Sequence, residues 1–319
     1  MKSIQPEVRT VALRYQLSDW TLFSVERRLQ VRAFGLDDRA VALDQLDTLQ
    51  ADADGLMLRS LPVGDDILGS GIQKVVVGGQ HALRYILQRF PRYYIDMSQS
   101  FADYKAKFSG KTRSTLNRKL KKFGGLNSGQ IHWERFTRPE ELERFWTLAR
   151  DVSAKTYQER LLDAGLPQDA AYFEEAKRLA SADNLRAFLL FDGDRPVSYL
   201  YCPIHKDIVN YAYLGYDPEY LRLSVGTVLQ WLALESLFTE QRFRFFDFTE
   251  GESEHKRLFS TACTQCANVA LLKPTPGNWW IAHSHLQFNR ATQTIGNWLE
   301  KRDLKARIKR WLRFGRTGG

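Results

Sequence analysis

Cysteine is scarce: three residues in 319, Cys202, Cys263 and Cys266. So few exclude a disulfide framework and suit a reducing compartment. Cys263 and Cys266 have C-x-x-C spacing, but no second pair completes a zinc site, and no thioredoxin-like strand-to-helix context surrounds them. They read as two small residues entering a strand, and no metal is expected. Long apolar runs are absent too, which excludes a transmembrane helix. Met1 to Trp20 holds no continuous apolar stretch of the kind a secretion signal needs, so the expected location is the cytoplasm. No internal repeat or low-complexity linker interrupts the chain.

What is present is enough apolar and aromatic side chain, 44% and 13%, to build a core of one large or two smaller domains. The net charge of +9 is unevenly placed. Lys105 to Lys122 carries a net +8 and Glu300 to Arg316 a net +6, which leaves the rest at −5. Such a chain is an acidic body with two basic helices, suited to local anionic partners rather than to general polycation behaviour.

Residues 1–95 read as strand-rich: Thr10–Leu17, Arg28–Phe34, Leu56–Leu61 and Lys74–Val77, with a short helix at Val41–Leu49. His81–Phe90 fits helix or strand, and Tyr93–Asp96 is a short strand. Ser100 opens one helix, and Lys111–Phe123 is a second, apolar at Leu116, Leu120 and Phe123 and basic opposite. From Ile131 the order is clearer. A strand to Phe136 leads into a capping box at Thr137–Glu140 and a long helix. A helix at Ala170–Leu179 follows. Strands Leu185–Phe191, Val197–Ile204 and Ile208–Leu214 come next. Ser224 sits where it can cap a helix over Val225–Glu240. Strand Arg242–Phe248, a short helix Glu254–Phe259 and strand Ala267–Leu272 complete the pattern.

The run from Phe246 to Lys256 carries the most chemistry. An apolar strand there bears Asp247, although burying an unpaired carboxylate is costly. Beyond a turn at Gly251 come Glu250, Glu252, His255 and Lys256, titratable groups crowded at one strand end. The plainer reading is a strand end closed by solvated charges.

Four stretches together resemble the GNAT acyltransferase superfamily, and within it the FemAB-like branch, specifically the BioF-like and CelD-like acetyltransferases linked to bacterial polysaccharide synthesis. Tyr94-Ile-Asp96 followed by Lys111-x-Arg113-x-x-x-x-Arg118-Lys119 is similar to that branch's basic entry segment. Gly193-x-x-Pro196-Val197 with Gly215-Tyr216-Asp217 is similar to its central hairpin. Ser224-Val225-Gly226-Thr227 is similar to its helix start, with Val225 in place of proline. Phe246-Asp247-Phe248 with Gly251 and Lys256 is similar to its D-F-G-x-G-x-x-x-Y-K signature, with His255 for the usual tyrosine and Thr249 for the usual glycine.

The resemblance implies an α+β GNAT fold, a mixed central sheet flanked by helices, over residues 96–273. Residues 1–95 would be a degenerate GNAT-like half and 274–319 a basic helical tail. It further implies two parallel strands that splay apart around an acyl thioester, here Ile208–Leu214 and Arg242–Phe248. The co-substrate would be acetyl-CoA or another acyl-CoA. Its pyrophosphate would rest near Leu214, Arg222, Ser224, Val225, Gly226 and Thr227, because a helix start attracts anions. By itself Ser224-x-Gly226 also reads as a plain helix cap.

Glu250, Glu252 and His255 are the candidate bases, and His255 also the acid for the leaving thiolate. Asp247 stands with them, or anchors the turn through backbone N–H groups. Lys256, Tyr216 and Asp217 would bind substrate. Arg113 and Arg118 would receive an anionic sugar or lipid-linked acceptor. The tail, Trp298–Arg316, is a basic amphipathic helix that fits an anionic membrane surface or packs on the body. Two other readings remain open: a FemAB-type transferase using aminoacyl-tRNA, and a non-catalytic glycolipid-binding scaffold.

Overall fold

A computed structural model describes residues 7–17, 20–38, 49–63, 71–156 and 165–301. The helix expected at Val41–Leu49 and most of the basic tail lie outside these residues. The chain opens with strands β1 (Glu7–Leu17), β2 (Trp20–Ala33), β3 (Gly55–Pro62), β4 (Ile72–Val77) and β5 (Gln80–Asp96). The ambiguous segment at His81–Phe90 is thus strand, continuous with Tyr93–Asp96. Then come α1 (Phe101–Ala106), α2 (Gly110–Gly124), β6 (His132–Phe136), α3 (Leu142–Ser153) and α4 (Ala170–Ser181). The chain continues through β7 (Leu185–Asp192), β8 (Arg195–His205), β9 (Ile208–Asn210), β10 (Tyr213–Tyr216), α5 (Val225–Thr239), β11 (Phe245–Asp247), α6 (Glu254–Phe259), β12 (Ala262–Leu272) and α7 (Pro276–Lys301).

Two compact units result. One comprises Met1–Phe90 with Gln265–Gly319. In it β1 pairs antiparallel with β2, β2 parallel with β3, and β3 antiparallel with β12. Ile281 and Ala282 of α7 sink among Val11, Leu13 and Leu29. The pairing of β12 with β3 explains a difference from the sequence, which places 96–273 in one domain and a separate tail after it: the described residues from Gln265 to Lys301 group with the N-terminal strands. Cys263 and Cys266 are free, three apart on β12, so they point to opposite faces, one exposed and one buried.

The second unit, Pro91–Thr264, holds the candidate site. Its strands run in the order β5, β11, β9, β8, β7, β6. β9 and β11 are parallel, and the other neighbours are antiparallel. β7 shows how helices cover both faces. Ala187, Leu189 and Phe191 turn to the side of α3 and α4, where Phe145, Val152 and Ala176 pack, while Phe188 and Leu190 turn to α2 and α5, against Phe123 and Leu234. A strand buried on both faces reads as an unbroken apolar run, as this one does from Ala187 to Phe191. α5 is apolar around most of its circumference and correspondingly buried at ten positions between Val225 and Phe238.

The start of α3 departs from the expected capping box. A short 3-10 turn, Pro139–Glu141, precedes it, and the Glu141 carboxylate, not Glu140, accepts from the amides of Thr137 (2.9 Å) and Arg138 (3.1 Å).

Candidate active site

The sequence predicts one strand over Ile208–Leu214; the structure breaks it. β9 runs beside β11 for three residues, Ile208 to Asn210 against Phe245 to Asp247. The Tyr211 amide then makes a last bond to the Asp247 carbonyl (2.8 Å), and the Ala212 amide donates instead to Tyr201 on β8 (3.2 Å). β10 continues along β8, from Tyr213↔Tyr201 to Tyr216↔Ser198. Among the described strands nothing pairs with its other edge. The parting opens a cleft of about 520 Å³. Tyr211, Ala212, Tyr213, Leu214 and Tyr216 form one wall, the α5 start a second, and Ser253, His255 and Lys256 a third.

The start of α5 is not built as the sequence suggests. Ser224 has a left-handed backbone (φ 55°), ends a 3-10 turn over Pro218–Leu223, and makes no side-chain cap. Its carbonyl takes the Thr227 and Val228 amides. The first amides of a helix precede its hydrogen-bond ladder; here those are Val225 and Gly226, which line the cleft together with Thr227. Gly226 is tightly placed: a Cβ there would stand 3.1 Å from Leu214 Cδ2 and 3.3 Å from Tyr216 Cδ1. Its lack of a side chain therefore lets helix and β10 close on each other, with the backbone left at the cleft surface.

Parallel strands that part beside a helix N-terminus agree with what comparison shows. Residues 110–257 match the family model of the acetyltransferase (GNAT) domain. The segment has the GNAT fold. No curated protein matches the chain. Solved structures similar to it include FemX, at 12% identity over 72% of this chain and 75% of that one, TM-score 0.45. L-PGS from Bacillus licheniformis matches at 13% identity over 73% and 72%, TM-score 0.44. A GCN5-related N-acetyltransferase from Kribbella flavida matches at 14% identity over 60% of each, TM-score 0.34.

Within this GNAT segment the charged run after β11 divides in two. Asp247 is fully buried and is not among the residues lining the cleft. Arg92 grips it through Nε (3.1 and 3.0 Å) and a terminal nitrogen (2.5 Å), and the Thr249 amide donates to it (2.8 Å). The turn-anchoring role is the one the geometry supports. Thr249, standing where the resembled signature has glycine, is left-handed (φ 59°), which explains the usual preference. Glu252 is half exposed, paired with Arg257 (2.7 Å) and approached by the Tyr93 hydroxyl (3.4 Å). Glu250 is exposed, and its carbonyl accepts from Lys256 Nζ (2.6 Å). Neither carboxylate is among the residues lining the cleft.

His255 and Lys256 do line it. The His255 ring lies on Phe259 (4.7 Å) and its Nε2 bonds the Gln230 side-chain oxygen, so Nε2 carries the proton and Nδ1 keeps a free lone pair. Burial, then the charges of Lys119 and Lys256, push the imidazole down to about 4, so it is neutral near pH 7. Burial also lowers Lys256, to about 8, against the pull of Asp247 and Glu250.

The remaining expected residues separate. Tyr216 and Leu214 line the cleft, but Asp217 does not. It is buried beneath Arg195 (2.6 Å) and Lys155 (3.1 Å) and caps the 3-10 turn through the Glu219 amide (3.1 Å). Burial opposes its charge, but that amide and the two cations outweigh it and hold the carboxyl below its usual range. Arg113, Arg118 and Arg222 are exposed and off the cleft wall. Arg222 contributes its carbonyl, to Lys122 Nζ (3.2 Å).

Sequence reasoning missed Arg92 and Gln230, and gave Lys119 only as part of the basic entry segment, with no role of its own. Lys119 is half-buried on α2, its pKa lowered by burial, and its charge reaches His255 where that of Arg118 does not. A helical wheel of α2 keyed to Leu116 and Phe123 could have found it. Arg92 and Gln230 carry no local signal, since their partners lie 155 and 25 residues away.

Proposed function

We propose that this chain is an acyl-CoA-dependent N- or O-acetyltransferase of the FemAB-like branch, acting on an anionic sugar or lipid-linked precursor of a cell-envelope or extracellular polysaccharide. One observation carries the reading. The cleft at the parted strands joins a helix N-terminus to Lys256 and His255, and no carboxylate is found among its described lining residues. A wall of that kind suits a donor rich in phosphate and disfavours a polycationic acceptor. The open edge of β10 offers backbone amides to the oxygen of a tetrahedral intermediate. His255, neutral and with Nδ1 unprotonated, takes the acceptor's proton as the new bond forms and returns it to the leaving sulfur. Lys256 balances negative charge in the same volume. Lys119 and the exposed arginines of α2 continue the positive surface toward an acceptor.

Calorimetry with acetyl-CoA tests this. Wild type should bind saturably. Gly226→Glu, which adds bulk and negative charge between Leu214 and Tyr216, should lose binding, with circular dichroism of the same preparation separating lost binding from lost fold. Equal affinity in the variant would move the donor away from α5. An aminoacyl-tRNA that binds with a steep salt dependence, where acetyl-CoA does not bind, would replace acetyl transfer by aminoacyl transfer.

A further inference from the structure

We infer that Lys256 is itself an acyl acceptor: when no acceptor occupies the cleft, its side-chain amine takes the acyl group from a bound thioester, and the chain is modified at its own active site. The inference rests on the donor reading above but concerns a different nucleophile.

Placement comes first. Lys256 stands on the first turn of α6, and its side chain lines the donor cleft rather than reaching for solvent. Nζ is folded back on the turn that precedes the helix. It donates to the Glu250 carbonyl at 2.6 Å and stands 3.6 Å from where a Cβ on Gly251 would be. Glycine at 251, with φ 97°, keeps that space open. An amine held through one N–H to a carbonyl has its lone pair directed away from that carbonyl, and the residue that carries it lines the cleft.

The groups around it set its protonation. Asp247 and Glu250 favour the ammonium, though Asp247 is already paired with Arg92. His255 is neutral, and Lys119 faces it from α2. Burial outweighs the two carboxylates, and the ammonium loses its proton at about 8. Near pH 7 roughly a tenth of Lys256 is then free amine, far more than for an exposed lysine with a pKa near 10.4.

The chemistry balances without a further reagent. The Lys256 nitrogen attacks the thioester carbonyl, the C–N bond forms, and the C–S bond breaks as the intermediate collapses. The surplus amine proton passes to His255 and from there to the departing thiolate, leaving an amide and a free thiol. The amide carries no charge, so modification removes a cation from the phosphate-binding wall and fills the space beside it. A chain modified in this way has a weakened donor site until the acyl group is removed.

Lys107 supplies an internal control. Burial lowers it to about 8 as well, and its Nζ also donates to backbone carbonyls, those of Leu258 (2.9 Å) and Ser260 (2.5 Å), yet it does not line the cleft. Equal basicity with unequal placement separates acylation by a bound donor from simple chemical reactivity.

The full chain is incubated with acetyl-CoA, without acceptor, across pH 6.5–9.5, then weighed intact and mapped by peptide. We expect a single acetyl group on Lys256, formed at least about ten-fold faster than on Lys107 because the reactants are held together. The rate should saturate with acetyl-CoA and level off above about pH 8. Lys256→Arg should abolish that modification. Equal labelling of Lys107 and Lys256 would overturn the inference. Calorimetric binding of acetyl-CoA with no acylation of Lys256 would overturn it while leaving the donor reading intact. Failure to bind acetyl-CoA at all would remove both.

Discussion

Arg92 and Asp247 form a buried pair in which one guanidinium spans both carboxylate oxygens, at 2.5 to 3.1 Å, with neither side chain more than 6% exposed. The pair fixes the end of β11 to β5, and with it the turn that leads to His255. Removing one partner strands the other charge in the interior, a loss of about 3–5 kcal/mol. Arg92→Met and Asp247→Ala should each lower the urea midpoint steeply. Turnover per folded molecule should fall far less than stability does. A variant as stable as wild type but inactive would return Asp247 to the chemistry.

Gln230 is a buried amide whose oxygen engages His255 while its nitrogen has no partner among the described residues. An unsatisfied buried donor costs about 1–3 kcal/mol. Gln230→Met should remove that cost and leave the melting temperature level or higher. The imidazole would lose the bond that fixes its tautomer, so kcat should drop by about ten-fold or more. Thermal unfolding and steady-state kinetics on one preparation check both halves.

His255 makes stability depend on acid. Its folded pKa, about 4, lies below the ordinary 6.5, so the unfolded chain binds more protons between these values. Stability therefore rises with pH across that window and is lost on acidification from about 6.5 to 4, by up to about 3 kcal/mol. His255→Gln should be less sensitive over the same range. Parallel urea titrations at pH 7 and pH 4.5 give the difference, and equal losses in both proteins would refute it.

The basic segment Trp298–Arg316 should bring the protein to anionic membranes, each basic residue near the surface adding about 1 kcal/mol. Among the described residues no helix is long and apolar enough to cross a bilayer. Co-sedimentation with vesicles should require anionic lipid, weaken with salt and vanish when residues 298–319 are removed. Undiminished sedimentation of the truncated chain would refute it.

Much of the second unit was legible because its signals are local. The apolar run of β7 and the apolar α5 follow from residue spacing, and the expected Glu254–Phe259 helix has the observed ends. The break at Tyr211–Ala212 was not legible. Ile208 to Leu214 is apolar but for Asn210 and reads as one strand, since nothing in a single strand reveals that its partner changes from β11 to β8. Asp217 misled for a related reason: a carboxylate beside a tyrosine at a strand end suggests a site, and only the distant Lys155 and Arg195 turn it into a buried cap. Glu250 and Glu252 were placed in the right loop but on its solvent side, which sequence periodicity cannot resolve in a turn.

α5 is buried along most of its length, yet its first turn is the surface that meets the cleft. The position of those amides is therefore set by side chains well inside the protein, Leu229, Leu234 and Phe238 among them. Affinity for the proposed donor would then gauge interior packing. A methylene lost two turns down the helix would register at its mouth, and drift in the core would retune recognition without touching a single contact residue.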